Sequence, residues 1–280
     1  MPGAAQVHRG RRDEGDPSAY PRHGADHGAV LAQPRGEGLI DTAALAAIAF
    51  AGALIFGITG FGAALVTIPL ATHLVSLQFA LALFVLADLA AALSVGLERP
   101  KNAVRSEWTR LVPMILVGTA LGVTLLVNLP RAAGMLLLGL FVLGFAVFTL
   151  LPHARARIVS PAWGWVAGLA GGITSTVFGA GGPPYAIYLS QRALTKEQFR
   201  ATLGLATLTS ISLRLVAFVV TGVLLDSEVW RKALAVVPAC LVGIWVARRI
   251  YLRISRDQLM RAVALLLLGS GASLIWRALT

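Results

Sequence analysis

Two glycine clusters interrupt otherwise apolar stretches of this chain: Gly60-Phe61-Gly62 and, about 120 residues later, Gly179-Ala180-Gly181-Gly182. A helix that begins at such a break presents unpaired N–H groups and about half a positive charge from its dipole. That arrangement can hold an anion without burying a formal charge. Glycine suits the position because a side chain would keep the amides away from a ligand. Gly60, Gly62, Gly179, Gly181 and Gly182 are therefore candidate anion contacts, with the hydroxyls of Thr59, Ser175 and Thr176 as added donors and Tyr185 able to present a fourth. The competing reading is that these glycines let helices pack closely, as small residues do in membranes.

Two ionisable residues lie well inside apolar segments, Asp88 and Arg214. An Arg at the centre of a membrane helix costs about 2.5–3.5 kcal/mol on insertion scales, so Arg214 is expected to face protein or a cavity. Arg214 could neutralise an anionic substrate, and Asp88 could couple protons or pair with it. The alternative is that the two only satisfy each other. His73 could carry a proton or cap a segment end. Pro69, Pro183 and Pro184 remove backbone donors and point to short or broken helices.

Other chemistries find too few residues. An intramembrane protease needs a serine with a helical His partner, paired aspartates or a metal motif, while Asp88 and His73 stand alone in the apolar region. A metal permease would need clusters of His, Cys, Met or carboxylates. The single cysteine, Cys240, makes neither an internal disulfide nor a thiolate metal site. The glycine spacing lacks the strand–turn–helix context of a dinucleotide loop. No enzyme activity, metal or cofactor is expected.

The elements that must position these residues are membrane helices. Of the 280 residues, 57% are hydrophobic and 13% charged, against about 25% charged in soluble domains. Mean hydropathy is +0.77. No Asp, Glu, Lys or Arg occurs from Thr42 to Ala87 or from Ile158 to Gln191. A bilayer span needs about 20 predominantly apolar residues, so each run can hold more than one segment. The net charge of +11 does not point to nucleic acid, because the basic residues fall in the N-terminal stretch and in short gaps between apolar runs, as topology determinants do.

Residues Met1 to Gly38 are polar, with no apolar core of a signal peptide, and read as a disordered tail or an over-extended start. Ten apolar segments follow: Leu39–Gly57, Phe61–Ser76, Phe79–Leu97, Leu111–Asn128 and Ala132–Leu151, then Ala162–Phe178, Gly182–Ser190, Ala201–Leu225, Trp230–Ala247 and Ala262–Leu279. The second and seventh are short and glycine-led, and read as half-helices; irregular backbone at membrane depth is tolerated where it lines a cavity. The halves, 39–151 and 152–280, match in order: glycine break, short apolar run, Gln78-Phe79 or Gln198-Phe199, long helix. Five segments per half is odd, so the second repeat is inverted. The expected fold is thus an all-α polytopic membrane protein of two five-segment inverted repeats, with about 8–10 transmembrane segments. Loops rich in Arg and Lys at Glu98–Arg110, Pro152–Ser160, Gln191–Arg200 and Arg248–Arg261 belong inside by the positive-inside rule, which puts both termini on the non-cytoplasmic side.

The stretch Gly57-Ile58-Thr59-Gly60-Phe61-Gly62-Ala63-Ala64-Leu65-Val66-Thr67-Ile68-Pro69-Leu70 resembles the glycine-rich first motif of the TauE/SafE family, the sulfite-exporter-like permeases. Val177-Phe178-Gly179-Ala180-Gly181-Gly182-Pro183-Pro184-Tyr185-Ala186-Ile187-Tyr188-Leu189 resembles its second-half counterpart. The first motif departs from the pattern at Ala63 and Ala64, where glycines are usual. The resemblance implies export or uptake of sulfur-containing anions, such as sulfite, sulfoacetate or related sulfonates, across the inner membrane. The partners expected are a small anion, the lipid bilayer and a coupling proton. A non-transporting sensor or scaffold is the alternative from another class.

Overall fold

The computed structural model of the chain describes residues 38–60, 62–96, 100–151, 158–250 and 256–279. All of them fall within one compact unit, Gln33–Thr280. The expected tail, apart from Gly38, lies outside the described residues, as do Phe61 and parts of three of the expected basic loops.

Among the described residues there is no strand, and ten α-helices run in the order α1 Gly38–Thr59, α2 Ala63–Ala71, α3 Leu77–Gly96, α4 Arg105–Asn128, α5 Arg131–Leu150, α6 Trp163–Phe178, α7 Gly182–Ser190, α8 Lys196–Val220, α9 Ser227–Ile250 and α10 Arg256–Leu279. Six of them, α1, α3, α4, α5, α8 and α9, are long and apolar enough to cross a bilayer. Among the described residues this is fewer than the 8–10 spans expected. α6 has 16 residues and reaches about 24 Å at 1.5 Å per residue, short of a hydrocarbon core of about 30 Å. α2 and α7 have nine residues each, reaching about 14 Å. The chain is an all-α polytopic membrane protein.

α4 and α8 each begin about a turn before their apolar runs. Arg105–Arg110 and Lys196–Arg200 continue the helices out of the apolar zone, and α8 is opened by a capping box in which Thr195 Oγ1 accepts from Gln198 N–H while Gln198 Oε1 accepts from Thr195 N–H.

Glycine sets the closest helix contacts. α4 lies on α6 so tightly that a Cβ at Gly118 would sit 2.4 Å from Leu169 O, and one at Gly172 would sit 2.6 Å from Ile115 O. Along this seam Leu111 meets Gly168, Gly118 meets Gly172, and Gly122 meets Thr176. Residue numbers rise together, so the two helices are parallel. α1 and α9 form the matching pair, with Phe50 and Ala53 at Gly243 and Gly57 at Ala247. α3 also runs parallel to α9, through Cys240–Ala87 and Arg248–Ser94. α8 runs parallel to α4, through Val104–Thr202 and Trp108–Thr209. Each pairing in one group has its counterpart five helices away in the other. α5 and α10 pack together in opposite directions, Gly139 beside Ile275 and Leu143 beside Gly271.

Candidate functional site

The two glycine breaks come together. α1 ends where Gly60, at φ +82°, turns into the left-handed region and gives its N–H to Phe56 O. α6 ends likewise at Gly179, φ +74°, where the N–H groups of Gly179 and Ala180 both close onto Thr174 O. L-residues rarely adopt this conformation. A Cβ at Gly179 would lie 3.0 Å from Ala64 Cβ, 3.1 Å from an Arg214 guanidinium nitrogen and 3.2 Å from Ile68. The second break therefore abuts α2, the helix that the first break leads into.

Between them is a small cavity. α1 and α2 contribute Phe56, Gly62, Ala63 and Ala64; the α6–α7 turn contributes Ser175, Gly179 to Gly182 and Tyr185. Asp88 of α3 and Thr207, Ser210 and Ile211 of α8 complete the lining. The free volume is about 20 Å³, room for about one water molecule. The cavity is closed down in this conformation and must widen to take a polyatomic anion.

The donors are unequal in the two halves. The first four N–H groups of a helix lack intrahelical partners. In α2 these belong to Gly62, Ala63, Ala64 and Leu65. In α7 the same positions are Gly181, Gly182, Pro183 and Pro184, so only the two glycines have an N–H to offer. Gly181 is constrained by space rather than by dihedral angle: a Cβ there would be 2.8 Å from both Gly171 O and Ser175 Cβ.

Arg214 and Asp88 meet as a buried ion pair. Arg214 Nη2 donates to Asp88 Oδ2 at 2.7 Å and Nη1 donates to Ser175 O at 2.8 Å, while Nε has no partner. Asp88 faces the cavity, and Arg214 stands behind it against Gly179. Tyr185 is fully buried and donates its hydroxyl to Ser210 Oγ at 3.1 Å. Its ring fills the space left by Gly171, where a Cβ would sit 2.0 Å from the ring.

Of the residues expected at the site, Gly62, Asp88, Ser175, Gly179, Gly181, Gly182 and Tyr185 line the cavity, and Arg214 is one layer back. Gly60 and Thr176 do not line it. The Gly60 amide is spent in ending α1, and Thr176 turns toward Gly122 of α4 with its hydroxyl on Gly172 O at 2.9 Å. The side chain of Thr59 lies outside the described residues. His73 ties the end of α2 to α10. Its Nδ1 is 2.9 Å from Pro69 O and its Nε2 is 3.0 Å from Ser273 Oγ. A carbonyl only accepts, so Nδ1 carries a proton.

Two features escaped sequence reasoning. Thr207 and Ser210 share one face of α8 with Ile211 and Arg214, at spacings of three, four and seven, and the buried Thr207 hydroxyl has no partner. That spacing relative to Arg214 was the available signal. The second is Glu107, in the first turn of α4. It is buried and accepts from Arg110 at 3.1 Å, from Arg192 Nε and Nη2 at 3.0 Å each, and from the Tyr188 hydroxyl. Tyr188 is thus a buried anchor of the α7 end.

Among the described residues no group of three or more His, Cys, Asp or Glu could hold a metal. The arrangement offers backbone amides, hydroxyls and one buried ion pair, which suits recognition of a small anion.

The chain matches the sulfite exporter TauE/SafE family over residues 44–274. It is similar to the probable inner membrane transporter protein TsaS of Comamonas testosteroni, with 26% identity over 171 residues, covering 60% of this chain and 72% of the relative. No solved structure matches. The chain belongs to the TauE/SafE family and is a membrane transporter, not an enzyme.

Proposed function

We propose that this transporter carries a small sulfur-containing anion, such as sulfite, sulfoacetate or a related organosulfonate, by alternating access at a midplane site between two inverted repeats. The observation that carries the reading is the contact of the two glycine-led half-helices at one cavity, with α2 and α7 each bringing free amide groups to it. Helix N-termini aimed at an anionic group, near the membrane midplane and between repeats, are a recurring transporter plan.

The repeat reading, with halves 39–151 and 152–280, rests on helix direction. α1, α3 and α9 run one way, and α4, α6 and α8 are mutually parallel. α8 and α9 are joined by a short connection, and we take the chain to reverse there and, by the same rule, between α3 and α4. Helices five apart then point oppositely, as an inverted repeat requires. The distribution of Arg and Lys favours both termini on the non-cytoplasmic side, and the TsaS relative, named an inner membrane transporter, supports the inner membrane as the location.

The ion pair supplies a coupling step. While Asp88 is ionised it neutralises Arg214, and an arriving anion meets no net positive charge. A proton taken by Asp88 leaves Arg214 cationic behind Gly179, and the anion is then drawn to the amides in front of it. Release of anion and proton on the far side restores the pair. One proton accompanies each anion carried.

Uptake and efflux of labelled sulfite, thiosulfate, sulfoacetate and acetate in proteoliposomes, with and without a pH gradient, tests this. Transport of the sulfur anions above acetate, accelerated when the gradient drives protons along with them, is expected. Equal rates for all four, or no response to the gradient, contradict the proposal.

A further inference from the structure

The nine-residue helix α7 has two faces with different neighbours. Gly182 and Tyr185 border the anion cavity. The opposite stripe, Pro184, Ile187, Tyr188 and Gln191, borders a separate groove whose other wall is α6, through Trp163, Val166 and Ala170. Its volume is about 480 Å³, within the range of sites that hold a small ligand, and its walls are almost wholly apolar. α6 and α7 are both too short to span the hydrocarbon core, so this flank is one the chain leaves partly unfilled. The matching flank of α2 is covered, since α10 packs along it and holds it through His73–Ser273 and Arg277–Thr72 O.

One rim of the groove is charged. Arg192 donates through Nη1 to the carbonyl of Val159, a groove residue, and shares Glu107 with Arg110. Two guanidinium groups against one carboxylate leave one positive charge. The exposed indole of Trp163 stands beside the groove, and such rings favour the headgroup level. An apolar channel open to the bilayer, with a net cation at one end, complements an amphiphile with one anionic end. A second copy of the chain would bring an apolar helix face and leave the rim charge unmatched.

We propose that this groove binds one anionic phospholipid, with an acyl chain along the Pro184–Ile187 face of α7 and the phosphate beside Arg110 and Arg192. A helix of this length is marginal alone, so the lipid supports from behind the wall whose front face bears Gly182 and Tyr185. This inference stands independently of the identity of the transported anion.

The full-length protein, stripped of lipid in a neutral detergent, is titrated with dioleoylphosphatidylglycerol, with dioleoylphosphatidylcholine and with inorganic phosphate. Bound mass is read by native mass spectrometry and thermal stability in parallel. One phosphatidylglycerol per protomer, bound about ten-fold more tightly than phosphatidylcholine and raising the unfolding midpoint, is expected, with no effect of phosphate alone. Ala170→Phe, which fills the groove, should lose the bound lipid. Arg110→Gln should bring phosphatidylglycerol down to the level of phosphatidylcholine. Leu121→Phe, exposed on α4 and outside the groove lining, should change neither. Equal binding of the two lipids overturns the proposal, as does undiminished lipid binding by Ala170→Phe. Stabilisation by phosphate alone to the same extent overturns it by reducing the site to its rim charges. A dimer mass that Ala170→Phe abolishes overturns it by assigning the groove to a second copy.

Discussion

Arg214 of α8 donates to Asp88 of α3 across 2.7 Å, a contact between residues 126 positions apart, with side-chain exposures of 1% and 9%. The pair joins α3 and α8 at the wall of the cavity. Breaking a buried pair by removing one partner costs about 3–5 kcal/mol, because the other charge is left uncompensated. Arg214→Gln is therefore expected to lower the unfolding midpoint and abolish anion accumulation. Asp88→Asn should retain anion exchange but lose its response to a pH gradient. Counterflow and gradient-driven uptake, measured on both variants, separate the roles; gradient-driven uptake by Asp88→Asn would remove the coupling step.

Gly181 has no room for a side chain. Any Cβ meets the Gly171 carbonyl and Ser175 Cβ at 2.8 Å, and the carbonyl belongs to backbone that cannot swing aside. Gly181→Leu is expected to insert normally, as judged by membrane fractionation, and to have no measurable transport. Unchanged transport by this variant would remove the α7 N-terminus from the site.

Thr207 offers a way to distinguish a ligand group from a structural one. Its buried hydroxyl has no partner, and such a group costs about 1–3 kcal/mol. Thr207→Val keeps the shape and removes that cost, so the midpoint should hold or rise while anion affinity falls. Affinity by tryptophan quenching and stability by thermal unfolding, measured together, check both signs. A drop in stability with affinity intact would contradict a ligand role.

Glu107 collects three partners at the end of α7. Glu107→Gln leaves Arg192 without its buried counter-charge and is expected to destabilise by about 3–5 kcal/mol. Tyr188→Phe removes one hydrogen bond to a charged group and should cost about 1.5–3 kcal/mol. Denaturation midpoints of the two single variants and the double variant test this order; a sum well above the double-variant value would show the coupling of contacting residues.

The amount of this fold legible in the sequence follows from how each element meets the bilayer. α1, α3 and α5 are apolar nearly from end to end, and an apolar run marks them within a few residues. α4 and α8 begin with charged turns, which a search for apolar residues discards, although Thr195 and Gln198 already spelled a helix start. The glycine breaks were visible because each cluster interrupts an apolar stretch and leads a short apolar run, but sequence alone could not tell which side of a turn each amide would serve. Gly60 and Gly179 give theirs to the helix that is ending, while Gly62, Gly181 and Gly182 lead the helix that follows. The Glu107–Tyr188 contact joins residues 81 apart, and only the packing of α4 against α6 and α7 brings them together.

The most direct test of the site is whether its two breaks touch in the working protein. With Cys240 replaced by alanine, Ala64→Cys and Ala180→Cys place one thiol from each break on the lining of the shared cavity, and a protease site introduced between residues 152 and 157 allows the halves to be separated. Oxidation should join the halves covalently and stop transport, and reduction should restore both. Halves that separate after oxidation, or joined halves that still transport, would contradict a shared anion site between α2 and α7.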